Sequence, residues 1–422
     1  MPTDWITYFK ERPAYQKLFT DFKKKYQSLG KSRGSVSLKP FEQAEIQEFA
    51  LFLGMTPEEL SKKQKLSLQL FEQKLIGRKF PDITLHQLLE HYFECAIRAN
   101  KDLLIEKKNR EQATINHYKA SYPEITPWLT YLENRSADTF WIWGLINEGN
   151  FALEVAIIYQ AYQNLPTTLE RYPLFSQRIT GDPHRFDLAS VTGRLFLHLL
   201  HIMLGNQTAP SKLTEAVNEQ LLAVNLLRDD ISNFVTLVNI LGLKAGNYHP
   251  VWQAAHQQHS VLNVPLRELL LIDEVQLSPT SKRVFVVENS GVFSSLVDAA
   301  PNATLVCTHG QFKLAGLRLL DLLVSAGYLI CYSGDFDPEG LSMALRLAER
   351  YPKNCCFWRM EIDDYLATNP TVQLGARSNK FAALQGLGFD KLIAKIEAVG
   401  RIGYQEGIIE SLIADLQSEY LS

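Results

Sequence analysis

Cysteine is scarce and unpaired in this chain. The five cysteines are Cys95, Cys307, Cys331, Cys355 and Cys356, and no two of them form a C-x-x-C pair. That excludes a zinc ribbon and a disulfide framework by their usual spacing. Cys307 stands two positions from His309 but reads as a strand-end core cysteine. Cys355 and Cys356 fall in a predicted strand, Asn354 to Trp358, as small buried hydrophobes. Long apolar runs are also missing: none approaches the roughly 18 residues needed to span a bilayer, so no membrane segment is expected. The start, Met1-Pro2-Thr3-Asp4-Trp5, has no basic stretch leading into an apolar one, and the expected compartment is the cytoplasm. There is no internal repeat and no low-complexity tract. With 46% hydrophobic and 11% aromatic residues over 422 positions, the chain can fill two or three cores and is not disordered.

The net charge of -3 is unevenly spread. Residues 1–120 hold 21 Lys and Arg against 15 Asp and Glu, a balance of +6 that leaves -9 for the rest. Lys23, Lys24 and Lys25, with Lys31, Arg33 and Lys39 nearby, are candidate contacts to a phosphate backbone. The plainer reading of the same run is a solvated helix face.

Hydrophobic periodicity divides the chain into three. Residues 1–130 read as a helical, arm-like region. Phe41 to Leu53 has helical spacing and stops at Gly54. Thr56-Pro57-Glu58-Glu59 then supplies an N-cap, a first-turn proline and acidic residues. Residues 131–277 continue the helical style, as in Ala189 to Met203 and Lys212 to Leu227, with room for a winged-helix DNA-binding module. The polar stretch Ser278 to Lys282 marks a boundary. From 278 to 422 short apolar strands alternate with helices, which predicts a parallel sheet covered on both faces. The fold class is thus multidomain, α followed by α/β.

Chemistry concentrates at the strand ends of that last region. Tyr328 to Tyr332 runs into Ser333-Gly334-Asp335-Phe336-Asp337-Pro338-Glu339-Gly340. Forty-seven positions before Asp335, the strand Val284 to Val287 ends on Glu288. Open α/β sheets place ligands at the carboxyl ends of their strands. Side chains two apart share a face of an extended chain, so Asp335 and Asp337 can project together. Pro338 suits the first position of a helix. Carboxylates gathered there repel one another unless a cation compensates, and Mg²⁺ or Mn²⁺ suits a few carboxylates plus water. The plainer alternative is that Asp335 or Glu339 caps the following helix. Strand-Asp-x-Asp also resembles the nucleophile loop of haloacid-dehalogenase-type phosphatases, although Pro338 occupies the position where those enzymes carry Thr or Val.

Glu288 followed by Gly-Asp-x-Asp-Pro-x-Gly resembles the TOPRIM domain, in the form found in the topoisomerase VI A subunit. The flanking text narrows the likeness. Val306 to Gln311, Tyr332 to Asp337, Arg359 to Leu366 and Tyr404 to Glu406 resemble the JetD family, the nuclease subunits of Wadjet anti-plasmid systems. The likeness is dense over about 283–415. Upstream it rests on Gly34 to Leu38, Ile179 to Pro183 and Asp229 to Ser232. The resemblance implies a homodimeric, metal-dependent endonuclease that cuts plasmid DNA. It also implies partners: a condensin-like SMC ATPase, a kleisin and a small winged-helix subunit.

On that reading Glu288, Asp335 and Asp337 are the catalytic and metal-holding residues, with Glu288 either a third ligand or the general base. Glu339, Glu406 and His309 are accessory candidates. Their bland counterparts are a fourth acidic residue of the turn, a surface glutamate on a helix and a hydrogen-bonded structural histidine. No tyrosine stands in a motif for a covalent DNA adduct, which favours hydrolysis. A non-catalytic DNA-binding or assembly subunit and an Asp-nucleophile phosphatase are the competing functions.

Overall fold

The computed structural model describes residues 3–76, 83–278 and 282–420. The chain forms two compact units, Met1–Asn150 and Phe151–Ser422.

The described residues of the first unit are helical apart from one short antiparallel ladder, Ser35–Ser37 on Lys65–Ser67. Its helix ends follow local sequence rules. Thr56 accepts from the Glu59 amide while the Glu59 carboxylate accepts from the Thr56 amide, and Pro57 fills the first turn. Thr84 and Gln87 repeat the arrangement. Gly54 closes the helix Gln43–Leu53 at φ 68°, a left-handed conformation that costs a residue with a Cβ. Rings fill the core. Phe9, Tyr15, Phe19, Phe22, Phe49 and Phe71 are fully buried, meeting edge-on at centroid distances such as 4.9 Å for Phe9 and Tyr15. Such pairs are worth more than their buried area alone.

The second unit begins with helices, among them Phe151–Gln163 and Val191–Met203, and then builds a six-stranded sheet. Its strands are β1 (Phe234–Val238), β2 (Leu262–Pro265), β3 (Arg283–Val287), β4 (Leu305–Cys307), β5 (Leu329–Ser333) and β6 (Cys355–Phe357). The order across the sheet is β6-β5-β3-β4-β1-β2. The first four run parallel, whereas β1 and β2 are antiparallel to their neighbours. The sheet is therefore mixed, where alternation of strands and helices predicted a parallel one. Four helices surround it: α1 (Ser290–Ala299), α2 (Leu314–Ser325), α3 (Pro338–Arg350) and α4 (Ile409–Tyr420). α1 packs on α4, and α2 packs on β1 and β5. Every residue from Val284 to Val287 is buried, as a central strand covered on both faces requires.

Three expectations change. Residues 226–276 are not continuously helical but carry six short strands with the helices Pro250–Gln257 and Leu266–Leu269 between them; the helix expected from Lys212 to Leu227 is shorter, Thr214–Leu222. The units divide after Asn150, not after 130. The break at 278–282, where Pro279, Thr280 and Ser281 lie outside the described residues, does not separate two units. The reason is packing: one continuous core runs from Leu227, through Val235, Leu237 and Val264, to Val284 and on to Leu416. The five cysteines are free, with Cys307 and Cys331 buried in their strands.

β1 alone adds three buried apolar side chains, Val235, Leu237 and Val238, contributing roughly 1.5–3 kcal/mol each. That sum is comparable with the whole stability of a domain, about 5–15 kcal/mol. A fragment beginning at residue 282 should therefore aggregate or lack near-ultraviolet circular dichroism, while one beginning at residue 151 unfolds cooperatively. A cooperative transition in the shorter fragment would show that β1 and β2 are dispensable.

Candidate functional site

Strand register builds the site. Val287 pairs with Cys307 on one side and with Ser333 on the other, so β3, β4 and β5 end level and deliver their next residues to one place. The chain leaves β3 towards β4 and leaves β5 towards β6, in opposite directions from neighbouring strands. This is the switch point at which α/β sheets open a crevice. A cleft of about 320 Å³ lies there, lined by Glu288, Asn289, Ser290, His309, Gly310 and Asp335.

Turns lock the cleft's walls. The Thr308 amide donates to the Val287 carbonyl at 3.0 Å and the Gly310 amide to the Glu288 carbonyl at 3.1 Å. His309 and Gly310 take left-handed φ values of 56° and 83° to make that turn. Across the cleft, the Phe336 amide donates to the Gly403 carbonyl at 2.9 Å, and the ring of Phe336 is fully buried. Its neighbours Asp335 and Asp337 are thereby held on the other side of the chain. Two glycines permit the close approach. A Cβ on Gly334 would lie 2.2 Å from Glu288 Oε1, and one on Gly340 would lie 2.3 Å from the Asp335 carbonyl oxygen.

The carboxylates are under electrostatic load. Burial pushes Glu288 up to about 8, and the charges of Asp335 and Asp337 add to the rise; the Tyr332 hydroxyl and the Asp335 amide oppose it. Asp335 is pushed up to about 6, again mainly by burial, with Asp337 and Glu406 contributing and the Gln405 amide opposing. Tyr332 is itself wholly buried and donates its hydroxyl to Glu288 Oε1. The Gln405 amide donates to Asp335 Oδ1 at 2.9 Å.

Asp337 carries the same load, raised mainly by burial with the Gly340 amide and Arg377 opposing, but it has a second role. It is the N-cap of α3, its Oδ1 accepting from the Gly340 amide at 2.8 Å, and its Oδ2 faces Arg377 Nη1 at 3.6 Å. The capping role foreseen for Asp335 or Glu339 thus falls to Asp337, directly before Pro338. Asp337 does not line the cleft, although both other carboxylates feel its charge. Glu339 pairs with Lys380. Glu406 lies on a 3₁₀ turn, Gln405–Ile408, ahead of α4 rather than inside a helix. It reaches the site nonetheless, accepting from Asn289 Nδ2. His309 lines the cleft with Nε2 bonded to Thr236 Oγ1 and its ring against Phe234, and burial lowers its pKa.

The basic run Lys23, Lys24 and Lys25 belongs to the first unit and makes no single face. Successive helical residues point about 100° apart. Lys23 lies over the Phe93 ring at 4.6 Å, and of the three only Lys24 is exposed rather than half-buried.

Among the described residues, no group of three or more His, Cys, Asp and Glu side chains is arranged to hold a metal ion. The donor set that does converge is the pair Glu288 and Asp335. Buried polar atoms close by in the chain have no protein partner: Ser333 Oγ, Glu339 Oε2 and both ends of the Gln405 amide. Two loaded carboxylates amid unpaired polar groups suit a hard cation that keeps most of its waters, as Mg²⁺ does. Sequence reasoning overlooked Tyr332 as a partner of Glu288, together with Asn289, Arg377 and Lys380. Only Asn289 carried a local signal, since it ends a strand before a helix and caps α1.

Residues 32–242 match the family described as "Protein of unknown function N-terminus (DUF3323)", and residues 262–416 match "Protein of unknown function C-terminus (DUF2399)". The first match spans half of the chain, and the chain belongs to that DUF3323 family. The two matches meet inside the sheet: β1 lies in the first and β2 to β6 lie in the second. No curated protein matches the chain.

The raised carboxyls fix a pH dependence. Between their unfolded values, near 4, and the folded values of about 6 and about 8, the native state holds more protons than the unfolded one. Stability from these groups is complete below the unfolded values and is lost as pH rises through the folded ones. In chelator, the Tm of the wild type should fall more between pH 5 and pH 9 than that of Glu288→Gln. Parallel Tm curves for the two proteins would contradict the burial of Glu288.

Proposed function

We propose that this protein is a divalent-cation-dependent DNA endonuclease of the TOPRIM type, the JetD-like nuclease subunit of a Wadjet anti-plasmid system. One observation carries the reading: Glu288 and Asp335, two strands apart in sequence, face one cleft at the switch point with their carboxyls pushed towards neutrality by burial and by neighbouring charge. Desolvated carboxylates of like charge are costly to keep together unless a cation compensates them, which favours a cation as the missing partner. The Gly-Asp-x-Asp-Pro-x-Gly text around Asp335, the membership in the DUF3323 family and the DUF2399 match support the finer assignment.

Glu288 and Asp335 would hold Mg²⁺ or Mn²⁺, which when bound neutralises charge developing on the scissile phosphate and acidifies water. The residues themselves position the rest. Tyr332 holds the Glu288 carboxyl in place, where it would serve either as a ligand of the ion or as the base that accepts the proton of an attacking water. The Gln405 amide orients Asp335. Asn289 ties the start of α1 to Glu406 on the facing turn. His309, kept neutral by burial, adds a polar wall without adding charge. Double-stranded plasmid DNA is the proposed substrate. The proposed partners are a second copy of the chain and a condensin-like complex of SMC ATPase, kleisin and small winged-helix subunit.

The test is a supercoiled-plasmid cleavage assay with Mn²⁺ or Mg²⁺, run with and without that complex. Wild type should nick or linearise the plasmid, while Glu288→Gln and Asp335→Asn should lose at least a hundredfold in rate. Equal cutting by all three would remove the site assignment. Cutting by none of them, with partners present, would favour a binding subunit in which the same carboxylates only organise the loop.

A further inference from the structure

Two cations stand beside the carboxylates of the turn. The 3₁₀ segment Gly375–Ala383 lays Arg377 and Lys380 against the first turn of α3. Arg377 faces Asp337 Oδ2 and Lys380 donates to Glu339 Oε1. Their side chains remain 50% and 61% exposed. The Lys380–Glu339 pair is exposed at both ends and therefore weak, whereas Arg377 faces a carboxylate only 12% exposed but stands 3.6 Å from it, beyond hydrogen-bond range. On the β4 side of the cleft stands a third cation, Lys313, directly before α2. Its ammonium lies over the Phe234 ring at 4.1 Å, and its charge is felt by His309. Cations therefore stand one residue away from the cleft at two places: Lys313 acts on the cleft residue His309, and Arg377 faces Asp337, whose charge reaches Glu288 and Asp335.

A phosphodiester chain crossing Glu288 and Asp335 meets like charge at the floor and needs counter-charge at its flanks. We propose that Arg377 and Lys380 are DNA-backbone residues, which leave Asp337 and Glu339 to bind phosphates on the α3 side of the cleft. A guanidinium forks onto two phosphate oxygens and an ammonium binds as a point charge. Both match a polyanion better than a single carboxylate. Departure of Arg377 also strips Asp337 Oδ2 of its counter-ion next to Asp335. Substrate binding would thus raise the negative charge of the floor and its attraction for a cation. The inference rests on the nuclease reading and deepens it.

The experiment measures affinity of the full chain for a linear duplex against salt concentration, in chelator, so that no cleavage is involved. Each phosphate contact removed should lower the slope of log affinity against log salt by about 0.9. Arg377→Gln and Lys380→Gln should each lose about that much, and Arg377→Lys with Lys380→Arg should keep the slope of the wild type. Lys353→Gln, at the amino end of β6, is the control and should leave the slope unchanged. Wild-type slopes in both glutamine variants would overturn the inference while leaving the nuclease reading intact. Absence of salt-dependent binding by the wild type, together with absence of plasmid cleavage, would remove both.

Discussion

The structure of the second unit turns on one electrostatic constraint: two half-buried carboxyl groups share one cleft, and desolvation together with neighbouring charge holds both above the usual carboxylate range. Glu288 and Asp335 arrive from neighbouring parallel strands whose ends are level, so neither can move away without disturbing the sheet. Burial disfavours their charged forms, and neighbouring carboxylates worsen the load. Such a pair adds no stability, because partial desolvation of like charges costs free energy that their mutual repulsion only increases. The unfavourable pairing is best understood as readiness for a ligand of opposite sign.

The surrounding loop is built to keep that pair in place. Gly334 leaves space where any side chain would strike Glu288, and Gly340 lets the Asp335 backbone rest on α3. Phe336 drives its ring into the core and pins the Asp-Phe-Asp turn to Gly403. Asp337 converts the charge of the turn into a helix cap, so the start of α3 is fixed by the same segment that presents Asp335. The geometry is rigid where the chemistry is proposed, and one step out Arg377 and Lys380, both exposed, each face a single carboxylate.

Much of this was legible from the chain alone. The central strands announce themselves as unbroken apolar runs because both of their faces are covered, and Pro338 announces the start of α3. Asp337 as the cap was readable too, since it immediately precedes a first-turn proline; the choice of Asp335 or Glu339 missed that adjacency. β1 and β2 were not legible. They carry polar residues such as Thr236 and Asn263, and they join the sheet by antiparallel pairing to strands far away in sequence. For the same reason the polar stretch at 278–282 looked like a boundary, while the core passes straight across it. Arg377 and Lys380 are 40 and 41 positions from their carboxylate partners, a tertiary contact that no local pattern encodes. The lysine run at 23–25 illustrates the converse: adjacent in sequence, its members point in different directions on a helix.

The central claim is that the Glu288 and Asp335 pair waits for a divalent cation. Calorimetric titration of Mn²⁺ at pH 7, repeated in two buffers of different ionisation enthalpy, tests it most directly by counting protons. A carboxyl with a folded pKa of about 8 is mostly protonated at that pH and must lose its proton to bind metal. The account predicts saturable binding with release of close to one proton, abolished in Glu288→Gln. Saturable binding without proton release, or no binding at all, would contradict it.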